Sequence, residues 1–193
     1  MKRKSKIILV IGCLFITCSL IMLVVFQIRA QSAKRTNMEI VQTMEMILKD
    51  RGEGLIEFAQ AKEMPVLELK GEDFIALLEI PSFGLKLPVL GEWDKGKVTS
   101  YPCRFCGTSY NGNLVIGGYD QPGQFDFFDV ISNGATVKVT DMTGNEFCYV
   151  VDCVERSDSA QAEILIDDKA DLTLFVRDAQ LLEYIILHCV MRR

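Results

Sequence analysis

Asn113-Leu114-Val115-Ile116-Gly117-Gly118 is an apolar run that ends in two residues without side chains. A short apolar run bounded by turn formers reads as a buried strand, and glycines within it mark a close approach of other atoms to the backbone. Similar runs lie on both sides. Phe74–Ile80 is apolar and stops at Pro81-Ser82, and Leu85–Val89 alternates. Thr136–Thr140 alternates with period two, Met142–Asn145 reads as a turn, and Glu146–Val154 reads as the return strand of a hairpin. Leu172–Val176 and Tyr184–Val190 complete the set, with Phe125, Phe128 and Val130 suiting a helical turn between strands. Many short strands at regular spacing predict a closed barrel rather than an open sheet.

The N-terminal third has a different pattern. Residues 7–28 carry no charge over 22 positions, which at about 1.5 Å per residue crosses a hydrocarbon core as a helix. Lys2, Arg3, Lys4 and Lys6 precede it, and Arg29, Lys34 and Arg35 follow. This small bias predicts a cytoplasmic N-terminus and an extracytoplasmic domain at the cell membrane. A cleaved signal peptide, with Ala30-Gln31-Ser32 as its weak site, is the competing reading. Ile40, Val41, Met44, Ile47 and Leu48 share one face of a helix over 37–50, with Asn37 as its N-cap and Arg51–Gly54 as its stop. That helix reads equally as a stalk or as a helix packed on the domain. The expected organisation is a basic flank at 1–6, a transmembrane helix at 7–28, a helical spacer at 29–72 and a β domain at 73–193.

Composition excludes some functions. The net charge is -5, from 26 acidic and 21 basic residues, with no basic face for nucleic acid. Of seven cysteines, Cys13 and Cys18 fall in the apolar segment. Cys103 and Cys106 form a CxxC in a Pro/Gly-rich loop, where structural thiols, a disulfide, and redox or metal chemistry are the options in descending order. His188 is the only histidine. No metal or cofactor is expected. Strand alternation sets His188 and Cys189 on opposite faces, and separates Cys148 from Cys153 in the same way.

Several stretches together resemble a known family. Ile80–Val89 is similar to the opening strands of sortases, and Asn113–Asp120 resembles the strand that there ends in Gly/Ala-His. Thr140–Asn145 resembles the family's hairpin turn, and Asp171–Arg177 the strand that ends Leu-Thr-Leu-x-Thr-Cys. The final strand from Tyr184 sits where the family places an arginine. The resemblance runs from about Ile80 to the C-terminus. It implies a mainly β, eight-stranded sortase-like barrel with short helices behind a membrane anchor. It also implies transpeptidation, in which a cysteine thiolate takes an acyl group from a sorting peptide on a Gram-positive surface, with histidine as acid/base and arginine steadying the oxyanion or substrate.

The departures decide the expected function. The family histidine falls at Tyr119, the cysteine at Arg177, and the arginine at Tyr184, with Glu183 as a one-residue alternative. No catalytic position is intact. Arginine stays protonated and is no nucleophile, and a tyrosine hydroxyl is a poor proton shuttle near pH 7. The expectation is a pseudo-sortase that binds a cell-surface peptide or protein, with Arg177, Tyr119 and Asp120 as binding residues. The alternative is an active transpeptidase or hydrolase with a non-standard site, using Cys103 or Cys106. Asp120, Asp126 and Asp129 read as solvated loop carboxylates.

Overall fold

The computed structural model describes residues 15–22, 37–50, 63–128, 130–158, 169–177 and 183–192. The chain forms two compact units, Met1–Thr36 and Asn37–Arg193. In the first, residues 15–22 are helical and exposed. Among the described residues no helix is long and apolar enough to cross a membrane. The rest of the expected 7–28 span, and Ala30–Ser32, lie outside the described residues.

The second unit has nine strands: β1 (Leu67–Leu69), β2 (Glu72–Ile80), β3 (Leu85–Leu90), β4 (Cys103–Cys106), β5 (Leu114–Tyr119), β6 (Thr136–Asp141), β7 (Glu146–Ser157), β8 (Leu172–Arg177) and β9 (Tyr184–Met191). They run in the order β1-β2-β3-β4-β5-β8-β9-β7-β6, and β6 returns to pair with β2. Eight strands therefore close into a ring, and β1 lies as a short antiparallel arm on β2. Alternation fills the inside of the ring with Leu78, Val89, Ile116, Val139, Leu174 and Leu187. Burying each such side chain stabilises the fold by roughly 1.5–3 kcal/mol.

The 37–50 helix belongs to this unit. Its face of Ile40, Val41 and Met44 is buried against Phe74, Leu77 and Leu90 on the outside of the barrel. Glu39 and Glu45 pair with Lys70 and Lys86. Packing replaces the stalk reading, and the expected spacer at 29–72 thus contains a docked helix and β1. Asn37 is itself helical, and its side-chain amide donates to the Ser100 carbonyl at 3.1 Å.

The β6–β7 turn is built around one buried carboxylate. Asp141 Oδ1 accepts from the Thr143 and Asn145 backbone N–H at 2.8 and 3.0 Å, and Oδ2 accepts from the Asn145 amide at 2.9 Å and from the Tyr110 hydroxyl. Burial alone would raise its pKa, but the donors from Tyr110, Thr143 and Asn145 outweigh burial and hold it below the usual aspartate value. The same contact and burial push Tyr110 up to about 12, burial being the larger cause.

Three expectations need correction. The CxxC segment is strand β4, paired with β5, rather than loop. The turns over 121–128 bury Phe125 and Phe128, and Val130 is 66% exposed. A bulge between Val151 and Cys153 shifts the alternation of β7. Cys148 lies opposite Lys138, and Cys153 opposite His188. Lys138 and His188 are each flanked along their strands by interior residues, so both thiols lie on the outer face.

Candidate functional site

The register of three strands places the singled-out residues. β5 and β8 are parallel with Tyr119 opposite Arg177, and β8 and β9 are antiparallel with Arg177 opposite Tyr184. Val176 and Ile185 beside them point into the barrel, so Tyr119, Arg177 and Tyr184 form one cross-strand row on the outer face. Inward along the strands, the next row is Gly117, Phe175 and Ile186, and the one after is Val115, Thr173 and His188.

The first row borders a cavity of about 380 Å³ whose lining also includes Trp93, Lys95, Phe105 and Phe175. Tyr119 is 43% exposed, and the Arg177 guanidinium lies 6.0 Å from the centre of the Tyr184 ring, at the outer limit of a cation–π contact. Among the described residues no carboxylate, Glu183 included, reaches Arg177 as an ion pair. Asp120 does not line the cavity. Asp126 is exposed and accepts from the Gly123 N–H at 3.2 Å, a turn contact. Asp129 and Asp178 lie outside the described residues.

An aromatic wall closes the inner side. Trp93 stacks on Phe175 at 5.6 Å, and Phe105 meets both edge-on, at 5.6 Å from Trp93 and 5.7 Å from Phe175. Gly117 lies beneath: a Cβ there would fall 2.4 Å from the Trp93 ring and 2.5 Å from that of Phe175. Gly118 faces the opposite way, and its Cβ would meet the Phe125 ring at 2.3 Å. The two glycines thus admit one ring from each side of β5. Beyond Trp93 and Phe105 lies a second cavity of about 440 Å³, lined by Glu63, Glu92, Arg104, Cys106, Thr108 and Asn113 among others. The Arg104 Nε donates to the Gly91 carbonyl at 2.7 Å.

The Trp93 loop is fixed from behind. The buried Gln124 side chain accepts from the Tyr119 N–H and donates to the Val98 carbonyl at 3.1 Å. Trp93, Lys95 and Phe105 are site residues that the strand pattern did not reveal. The one signal was that Trp93 is the chain's only tryptophan, in a polar, glycine-containing stretch.

Among the described residues, no thiol or imidazole lines the first cavity. Cys103 and Cys106 are unbridged and sit in different apolar clusters. Burial pushes both thiols up, and Cys189 in the barrel core is pushed up to about 12, again by burial. His188 is four residues from Tyr184 along β9, about 13 Å at strand rise. It is 5% exposed; its Nε2 lies 3.5 Å from Glu155, and its Nδ1 has no hydrogen-bond partner. Cys153 is its register partner across the strand pair. Among the described residues no group of three metal-ligating side chains occurs.

Comparisons with known proteins agree with this architecture. A model of the sortase domain matches residues 78–176. The fold is similar to that of sortase A from Listeria monocytogenes (TM-score 0.55, 13% identity, covering 62% of this chain and 88% of that one). It is also similar to sortase C1 from Streptococcus agalactiae (0.56, 16%, 66% and 70%) and sortase E from Streptomyces avermitilis (0.53, 20%, 62% and 88%). No curated protein matches the chain. The eight-stranded closed barrel matches the sortase fold. The chain belongs to the sortase family.

Proposed function

We propose that this chain is a non-catalytic sortase-family domain, tethered to the outer side of the cytoplasmic membrane by segment 7–28, that captures a cell-surface peptide or protein in its groove. One observation carries the reading: the row Tyr119, Arg177 and Tyr184, where the family resemblance puts histidine, cysteine and arginine, borders a cavity with neither thiol nor imidazole among the described residues. Acyl transfer needs an ionisable sulfur beside a proton acceptor. Loss of the nucleophile alone costs on the order of 10⁶-fold. The uncharged 22-residue stretch supports the tether, and Arg177, which has no ion-pair partner among the described residues, supports a carboxylate-bearing ligand.

The test is to incubate the full-length chain, solubilised in detergent, with a sorting-motif peptide and a glycine-type amine. No transfer product is expected. Turnover abolished by thiol blocking would overturn the reading. It would assign activity to a non-standard thiol, of which Cys106 is the one that lines the neighbouring cavity.

A further inference from the structure

On the outer face of the barrel, His188 pairs in register with Cys153 on β7 and with Thr173 on β8. Directly opposed residues on antiparallel strands hold their Cβ atoms about 4.5–5.5 Å apart, and diagonal neighbours stand about 7–8 Å apart. Glu155 is the diagonal neighbour, opposite Ile186. The ring nitrogens of His188 sort by that geometry. Nε2, at the far end of the ring, lies 3.5 Å from the Glu155 carboxylate. Nδ1, next to the ring's point of attachment, is buried and has no hydrogen-bond partner. A carboxylate beside Nε2 favours the tautomer with its proton there. The lone pair is then on Nδ1, the nitrogen nearer the residue directly opposite.

The other described thiols of the barrel lack this setting. Cys103 and Cys189 are buried, and Cys106 and Cys148 are half-buried, whereas Cys153 is exposed. Cys148 shares the outer face but lies opposite Lys138, whose ammonium pairs with Glu146 at 2.7 Å. A lysine ammonium has no lone pair to accept a thiol proton. Cys153 therefore combines access from solvent with an imidazole that is 5% exposed and has an orphaned nitrogen. A thiol becomes a nucleophile when it loses its proton, and an adjacent base favours that loss.

We propose that Cys153 is a thiol-exchange site for small disulfides, with His188 as its proton acceptor and Glu155 as the residue that positions the imidazole. The Cys153 proton passes to His188 Nδ1, and the sulfur attacks one sulfur of the small disulfide. That S–S bond breaks as the mixed disulfide forms at Cys153, and the released thiolate takes the proton back from His188. One thiol and one disulfide are consumed and one of each is made, so no further oxidant enters. The site stands apart from the groove, because His188 is about 13 Å from Tyr184 along β9. Exchange needs no donors for a developing oxyanion, as acyl transfer does, so the site is compatible with a domain that performs no transpeptidation.

The test treats the detergent-solubilised full-length chain with dithiobis(nitrobenzoate), a small aromatic disulfide, and identifies the modified cysteines by mass spectrometry at timed points. Cys153 is expected to react roughly tenfold faster than Cys148. Exposure alone favours Cys153, so two variants decide. His188→Asn removes the basic nitrogen and should slow Cys153 about tenfold. His188 is buried, so continued sparing of Cys189 reports that this variant keeps its barrel. The surface variant Glu155→Gln is the independent reading. It should slow Cys153 about threefold, with the rate restored in Glu155→Asp and the Cys148 rate unchanged. Equal rates at Cys148 and Cys153 in the wild type, or a Cys153 rate that neither His188→Asn nor Glu155→Gln lowers, overturns the proposal.

Discussion

The guanidinium carbon of Arg177 lies 6.0 Å from the centre of the Tyr184 ring, its register partner on the neighbouring strand. A permanent cation and an aromatic face stand side by side at the rim of the groove. Arg177→Cys alone should give no peptide cleavage, because the tyrosine hydroxyls beside it are poor proton shuttles near neutral pH. The combination of Tyr119→His, Arg177→Cys and Tyr184→Arg should give trace cleavage. A chromatographic assay for the released peptide decides this, and cleavage by any single variant would show that the site has been misplaced.

For binding, Arg177→Ala should weaken capture of a carboxylate-bearing peptide by about 1–3 kcal/mol, the range for a hydrogen bond to a charged group. Fluorescence anisotropy titration measures it. Unchanged affinity would reduce Arg177 to a bystander.

Gly117→Val tests the aromatic wall. A side chain here collides with the rings of Trp93 and Phe175, and overpacking of this kind costs typically 1–3 kcal/mol. The variant should unfold at lower urea and show altered tryptophan fluorescence, which reports on one residue because Trp93 is the only tryptophan. An unchanged midpoint and spectrum would mean that the wall does not rest on this glycine.

Asp141 makes the turn between β6 and β7 sensitive to acid. Its folded-state pKa is held below the unfolded value, so its carboxylate stabilises the fold above about pH 4, the ordinary aspartate range. That contribution disappears as pH falls through the lower folded value. Asp141→Asn should cost roughly 1–3 kcal/mol at neutral pH by mispairing buried donors. Urea midpoints across pH should show the gap between wild type and variant closing in acid. A gap that does not change with pH would assign the loss to shape alone.

Thiol accessibility gives a fifth check. Cys189 lies in the barrel core with its pKa raised to about 12, whereas Cys153 is exposed. Under native conditions maleimide should label Cys153 and spare Cys189. Rapid labelling of both would contradict the closed barrel.

Much of the barrel was legible because its strands alternate or run apolar between turn formers. Seven of the strands follow from that pattern, whereas Tyr119, Arg177 and Tyr184 were singled out by the family resemblance. β4 was hidden because Cys103–Cys106 is only four residues long and broken by a bulge. β1 was hidden because three residues carry no readable period. The outward placement of both Cys148 and Cys153 depends on one extra residue in β7, which nothing local to the sequence announces. Trp93 and Lys95 reach the groove from a loop between β3 and β4, and only tertiary packing on Gly117 reveals that they belong to it.

The return of β6 to β2 has a consequence for recognition. A ring of hydrogen-bonded strands has no free edge along which one member can slide without breaking pairings all round, so the offset between neighbours is locked. The spacing of Tyr119, Arg177 and Tyr184 across β5, β8 and β9 is therefore set by the barrel and not by the loops around it.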